Sequence, residues 1–176
     1  VKVGRGAFMK NRSEAARLAE TMVAIGIAHD RNVRARLTDM DTQPLGRMIG
    51  NSLEIIESAE FLQGRAADDV RELTMTLAAD MLVMAGVAAD FQAAGLILEE
   101  KLSSGEAFHR FLEMVAAQGG DPDAVQPPYK LPVSSRTVTL GAPADGWVSG
   151  IDPMALGLAG IELGAGRTRK EDGIDP

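Results

Sequence analysis

At 176 residues the chain can hold one ordinary domain, or one domain and part of a second, and can bury a core of useful size. Its composition is that of a globular protein, 45% hydrophobic and 24% charged, with one Trp, one Tyr and five Phe, too few rings for stacking on bases to be the main activity. A net charge of -7, with Lys and Arg scattered among Asp and Glu, repels a phosphate backbone and excludes nucleic acid as a partner. The lack of Cys removes disulfides, thiolate metal sites and thiol nucleophiles, which suits a reducing cytoplasm. The longest apolar stretches, Leu82 to Ala89 and Met154 to Leu163, fall short of a membrane span, so no membrane is expected. The opening Val1-Lys2-Val3-Gly4 is no signal segment; it alternates like a strand end, carries no initiator Met, and reads as a cut inside a larger protein.

After the turn Gly4-Arg5-Gly6, Asn11 and Glu14 have the spacing by which a cap side chain and a reaching carboxylate satisfy the free amides of a helix start. The pattern predicts a helix from Arg12 to His29 with an apolar stripe of Ala15, Leu18, Ala19, Met22 and Val23. Val33, Ala35 and Leu37 alternate with polar residues and predict a strand, so that strand, helix and strand follow one another as in a parallel sheet. Asn51 and Glu54 repeat the capping spacing before a helix to Leu62. Further helices are predicted over Asp68 to Ala85, Asp90 to Ser103 and Glu106 to Gln118, each closed by Gly. Pro122, Pro127, Pro128 and Pro132 mark residues 121–132 as a linker. Beyond it, Val138 to Leu140 and Gly146 to Ser149 predict short strands, Gly157 to Gly166 turns with one small helix, and Arg169 to Gly173 a hairpin turn.

Taken singly, the chemical groups carry little. Gly4-Arg5-Gly6 lacks the third Gly of a dinucleotide fingerprint and the Lys-Ser/Thr of a P-loop, and reads as a structural turn. His29 and His109 have no metal-ligand spacing and read as helix-surface residues. Glu54 and Glu57 share a helix face, where capping and solvation are the plain explanation; Met22, Met75, Met81 and Met84 read as core filler.

Several of these pieces, in order, resemble the pyrimidine nucleoside phosphorylases of the thymidine phosphorylase family. Val1 to Lys10 is similar to the family's strand-end motif, and Asp39-Met40, Gln43 to Arg47 and Gly50 to Glu54 to its second signature. Met114 to Asp121 and Leu163 to Arg167 resemble later ones. The resemblance implies an α/β fold: residues 1–120 as part of a helix-rich, mixed-sheet domain, 121–132 as linker, and 133–176 as the start of a small β-rich lobe. It implies a pentosyltransferase that uses inorganic phosphate to displace the base of thymidine or uridine, in a cytoplasmic homodimer.

Phe8 matches the position that lines the pyrimidine pocket, and Leu45, Met48 and Glu57 match a potassium site built from two backbone carbonyls and one carboxylate, hard oxygen donors that suit such an ion. The family's Lys-His-Ser-Thr-Gly-Gly phosphate clamp and base-holding Arg and Ser-x-x-x-Lys do not occur here, which implies that these 176 residues alone are inactive and that no catalytic residue lies among them. Two departures stand out: Arg5 replaces a small residue, and the turn at Asp41-Thr42 is one residue longer than the family's. The competing functions are a related phosphoribosyltransferase, which would need an Asp-Glu pair at the Gly4 turn; a carrier lobe, which would need a Met-flanked Lys where Lys170 lies between Arg169 and Glu171; and a non-catalytic helical fragment.

Overall fold

The computed structural model describes residues 1–65 and 67–175, which fall into two compact units, Val1–Leu45 with Ser134–Asp175, and Gly46–Val133. In chain order the elements are β1 (Lys2–Val3), α1 (Arg12–Ala28), β2 (Thr38–Asp39), α2 (Ser52–Leu62), α3 (Asp68–Met84), α4 (Phe91–Ser103), α5 (Glu106–Ala117), a 3-10 helix (Pro122–Val125) and α6 (Pro153–Glu162). The predicted helix-rich α/β class is the one observed, with a sheet of two parallel strands.

In the first unit α1 starts as its sequence dictates. Asn11 is extended, and its side-chain oxygen accepts from the Glu14 amide at 2.9 Å. The helix ends without Gly: Asp30 takes a φ of 53° and the Arg31 amide reaches back to the Gly26 carbonyl at 2.9 Å. Its buried face is narrower than predicted. Ala15 and Ala19 are buried and Val23 is half-buried, but Leu18 and Met22 face solvent. Contact is close at the helix end, where a Cβ on Gly26 would lie 2.2 Å from a Val33 methyl.

The strand predicted over Val33 to Leu37 does not form. Pairing begins at Thr38, opposite Lys2, and continues with Asp39 opposite Val3. A ladder is only as long as its shorter strand, and β1 has two residues. The strands predicted at Val138 to Leu140 and Gly146 to Ser149 are also absent among the described residues. Leu140 is 92% exposed and Trp147 99% exposed, so alternation there has no sheet face to cover. The small helix is present as α6, capped by Asp152, whose carboxylate accepts from the amides of Met154 and Ala155. At the tail Asp172 accepts from the Thr168 and Arg169 amides and the Thr168 hydroxyl, closing a turn. The Arg169 amide first, and the Thr168 hydroxyl after it, hold its carboxyl below the ordinary value.

The second unit is helical. α3 and α4 close around Ala79, Ala88 and Ala94, with Leu82, Val83, Ile97 and Leu98 packed about them. Asp90 caps α4 by accepting from the Ala93 amide. Lys101 donates to Glu106 at 2.7 Å across the short turn into α5, which raises the amine's pKa and lowers the carboxyl's. Asn51 does not cap α2; it is already in the helical region, and Glu54 accepts from the Gly50 amide instead. Residues 122–125, inside the predicted linker, form the 3-10 helix, which packs on α5 and α2 through buried Val125. Of the predicted core methionines, Met75 and Met84 are half-buried while Met22 and Met81 are exposed. His29 ends α1, and His109 lies 3.3 Å from Glu113 on the surface of α5, both as surface residues.

A core centred on alanines tolerates little growth. Ala94, fully buried, is the most sensitive point. Ala94→Leu is expected to lower stability by about 1–3 kcal/mol through overpacking, read as an earlier loss of helical circular dichroism on heating, whereas an unchanged transition would mean that α3 and α4 do not pack closely there.

Candidate functional site

Two loops carry the residues that the sequence singles out. The first, Gly4 to Lys10 in the first unit, follows β1 and doubles back on itself: the Gly4 amide donates to the Met9 carbonyl at 2.9 Å and the Ala7 amide to the Gly4 carbonyl at 3.0 Å. It lies directly on the backbone after β2. The Met40 amide donates to Val3 at 2.7 Å and the Gly6 amide to Met40 at 3.3 Å. Gly4 has a φ of +135°, and a Cβ there would sit 2.6 Å from the Met40 carbonyl carbon. Only glycine meets both demands, left-handed backbone and chain-on-chain contact. A hollow of about 420 Å³ opens beside the turn, lined by Gly4, Lys10, Asn11, Arg12, Asp39 and Asp41 among others. Phe8 stands on the turn with 98% of its surface exposed.

The second loop, Gly46 to Gly50, belongs to the second unit and is held by side chains rather than by neighbouring strands. Glu57 on α2 accepts from the Arg47 amide at 2.8 Å and from the Met48 amide at 3.4 Å. Asp69 on α3 accepts from the Gly46 amide at 2.9 Å. Gly46 has a φ of +76°, and a Cβ on it would lie 2.3 Å from Glu57 Oε2, so the missing side chain is what lets the carboxylate seat under the loop. A carboxylate has about four lone-pair sites; two amides leave Glu57 room for a further hard partner.

Of the four residues predicted for a site, Glu57 and Met48 are brought together, through the Met48 amide. Leu45 ends the first unit. Phe8 belongs to the other loop. Asp69 was not expected to take part; it is one of two acidic residues opening α3, and nothing local in the sequence ties it to a loop 23 positions away. No group of three or more His, Asp or Glu side chains gathers as a metal site among the described residues, so a cation here would depend on main-chain oxygens. No helix of the described residues is long and apolar enough to cross a membrane.

The glycosyl transferase family model for the α/β domain matches residues 1–108, and the model for the pyrimidine nucleoside phosphorylase C-terminal domain matches residues 147–176. The chain is 47% identical over 169 residues to a thymidine phosphorylase of Mycobacterium tuberculosis, covering 96% of this chain and 37% of that protein. It is 41% identical over 175 residues to a pyrimidine-nucleoside phosphorylase of Staphylococcus haemolyticus, covering 99% of this chain and 40% of that one. A pyrimidine-nucleoside phosphorylase of Bacillus subtilis is 42% identical over the same length, with the same coverage. The chain thus spans about 40% of the length of the relatives it matches.

Gly4 is where the geometry of the first loop is least negotiable. Gly4→Ala is expected to cost about 3 kcal/mol or more, as left-handed strain and a backbone clash add. The measurement is the melting transition beside that of Gly141→Ala, which meets open space; equal transitions would show that the turn yields freely.

Proposed function

The chain belongs to the glycosyl transferase family through its α/β domain, and from that membership we propose that the full-length protein is a phosphate-dependent pyrimidine-nucleoside phosphorylase. The observation that carries this reading is the pair of family matches in order along one chain, the second of them to a phosphorylase C-terminal domain. In the reaction a phosphate oxygen bonds to C1' of the pentose as the bond from C1' to the pyrimidine nitrogen breaks. The electron pair leaves with the base, giving pentose 1-phosphate. Such chemistry needs fixed donors for phosphate and for the departing base, and a site that excludes water.

This chain's share is scaffold and pocket wall. Phe8 supplies an apolar face for the pyrimidine, for which its exposed position on a fixed turn suits it. Glu57, with the main-chain carbonyl of Met48, would hold potassium, supported by the spare lone pairs of its carboxylate and the hard-donor chemistry of the pair. The ion would supply positive charge that offsets the carboxylate. The lack of Cys and the family resemblance favour a cytoplasmic homodimer.

Base release from thymidine and uridine by the full-length protein is expected to require phosphate. Free base appearing without phosphate, or turnover of purine nucleosides or phosphoribosyl diphosphate in place of pyrimidine nucleosides, would overturn the reading.

For the cation, Glu57→Gln is expected to lessen the gain in melting temperature when sodium is replaced by potassium, because binding to the folded state adds stability by mass action. The amide oxygen can still accept one loop N–H, so the potassium increment is the reading rather than the melting temperature itself. An undiminished increment in the variant would remove Glu57 from the site.

A further inference from the structure

We infer that Arg5 is a positioning residue, a clamp that fixes the Gly4–Lys10 turn to the turn at Asp41-Thr42 and to the start of α6, and so sets the pyrimidine wall that Phe8 provides. For its substrate the inference rests on the phosphorolysis reading; for the clamp it rests on contacts alone.

Arg5 engages through nearly every polar group it has. Its amide donates to Asp41 Oδ1 at 3.1 Å and its Nε to the same oxygen at 3.4 Å. One terminal nitrogen donates to the Asp41 carbonyl at 3.1 Å, and the other lies 3.7 Å from Asp152 Oδ2. Its own carbonyl accepts from Lys10 Nζ at 2.9 Å, closing the far end of the turn. Asp152 is in turn the N-cap of α6, its other oxygen accepting from Met154 and Ala155, and the next link is made by the backbone, as the Ile151 amide donates to Thr42 at 2.8 Å. Three segments distant in sequence therefore meet at one guanidinium, all within the first unit.

Arg5 and Asp41 are bonded to each other through three contacts, two to the carboxylate oxygen and one to the carbonyl. The turn at Asp41 presents a carboxylate and a carbonyl, and the planar fork of Arg5 reaches both. Arginine suits this and lysine does not, since a single ammonium cannot address a side-chain oxygen, a carbonyl and a second carboxylate in fixed directions. The pair is solvent-exposed, with side chains 65% and 54% open, so its contribution to global stability is small. Its consequence is local: it removes freedom from the turn that carries Phe8, between the rigid start of α1 and the strand end of β1.

The test uses the full-length protein with Arg5→Ala, Arg5→Lys, Asp41→Ala and the Arg5→Ala/Asp41→Ala double variant. Arg5→Ala is expected to raise KM for the pyrimidine nucleoside about fivefold, the kinetic equivalent of about 1 kcal/mol. KM for phosphate should stay within about twofold and kcat should change little, since only ground-state and transition-state placement of the base is lost together. Arg5→Lys is expected to recover only part of the affinity, and the double variant to be no worse than either single change, as partners of one contact are non-additive. Additive effects on KM, or equal losses for nucleoside and phosphate, would overturn the positioning role. Should the protein release no base at all, the phosphorolysis reading fails instead; the clamp is then decided by the same cycle in melting temperature, where additivity overturns it and coupling supports it.

Discussion

The first unit depends on one contact of backbone with backbone, the seating of Gly4 on the Met40–Asp41 peptide. At that point the chain leaving β1 must turn away before the chain leaving β2 can pass, and no side chain fits between them. The parallel pair, the doubling back at Met9 and the hollow beside Lys10 and Asp39 all follow from this crossing. Everything attributed to the turn, Phe8 included, inherits its geometry from a position whose chemistry is the absence of a Cβ.

The acidity of the chain, read first as a reason to exclude polyanions, has a structural use. Asp90, Asp121 and Asp152 cap helices, Glu54, Glu57 and Asp69 hold the amides of the Gly46–Gly50 loop, and Asp172 closes the last turn. Each carboxylate replaces a backbone partner that an irregular segment lacks, and charge-assisted bonds of this kind are stronger than neutral ones. With two strands of two residues and a small alanine-centred core, much of the loop backbone would otherwise rely on water. Part of the chain's acidity is thus used in local backbone satisfaction.

Helices were legible because their signals are local. Asn11 with Glu14 at the start of α1, and the glycines after α3, α4 and α5, fixed those ends to within a residue or two. Where reading failed, the missing information lay far off in sequence. Whether Val33 to Leu37 is a strand depends on what runs beside it, and β1 reaches only to Thr38 and Asp39. Leu18 and Met22 fit a helical stripe, yet the first unit meets α1 on Ala15, Ala19 and Gly26, a face of small residues that hydrophobicity does not flag. For the site, the family motif brought attention to Met48 and Glu57, but the Arg47 amide bond, the Asp69 contact and the link from Arg5 to Asp41 needed coordinates.

The Glu57 carboxylate would serve both the loop amides and any cation bound there. Its bonds to the Arg47 and Met48 amides shape the loop before any ion arrives, and Gly46 is cut to fit that carboxylate rather than an ion. A cation bound through the carbonyl side of the same loop would meet a ligand already oriented, and little ordering would remain to oppose binding. The same two amide bonds satisfy part of the carboxylate's hydrogen-bonding capacity without any ion. A cation bound there would tune a loop that the protein has already folded, and losing it would loosen the geometry around residues 46–50 without unfolding the helices on which Glu57 and Asp69 are carried.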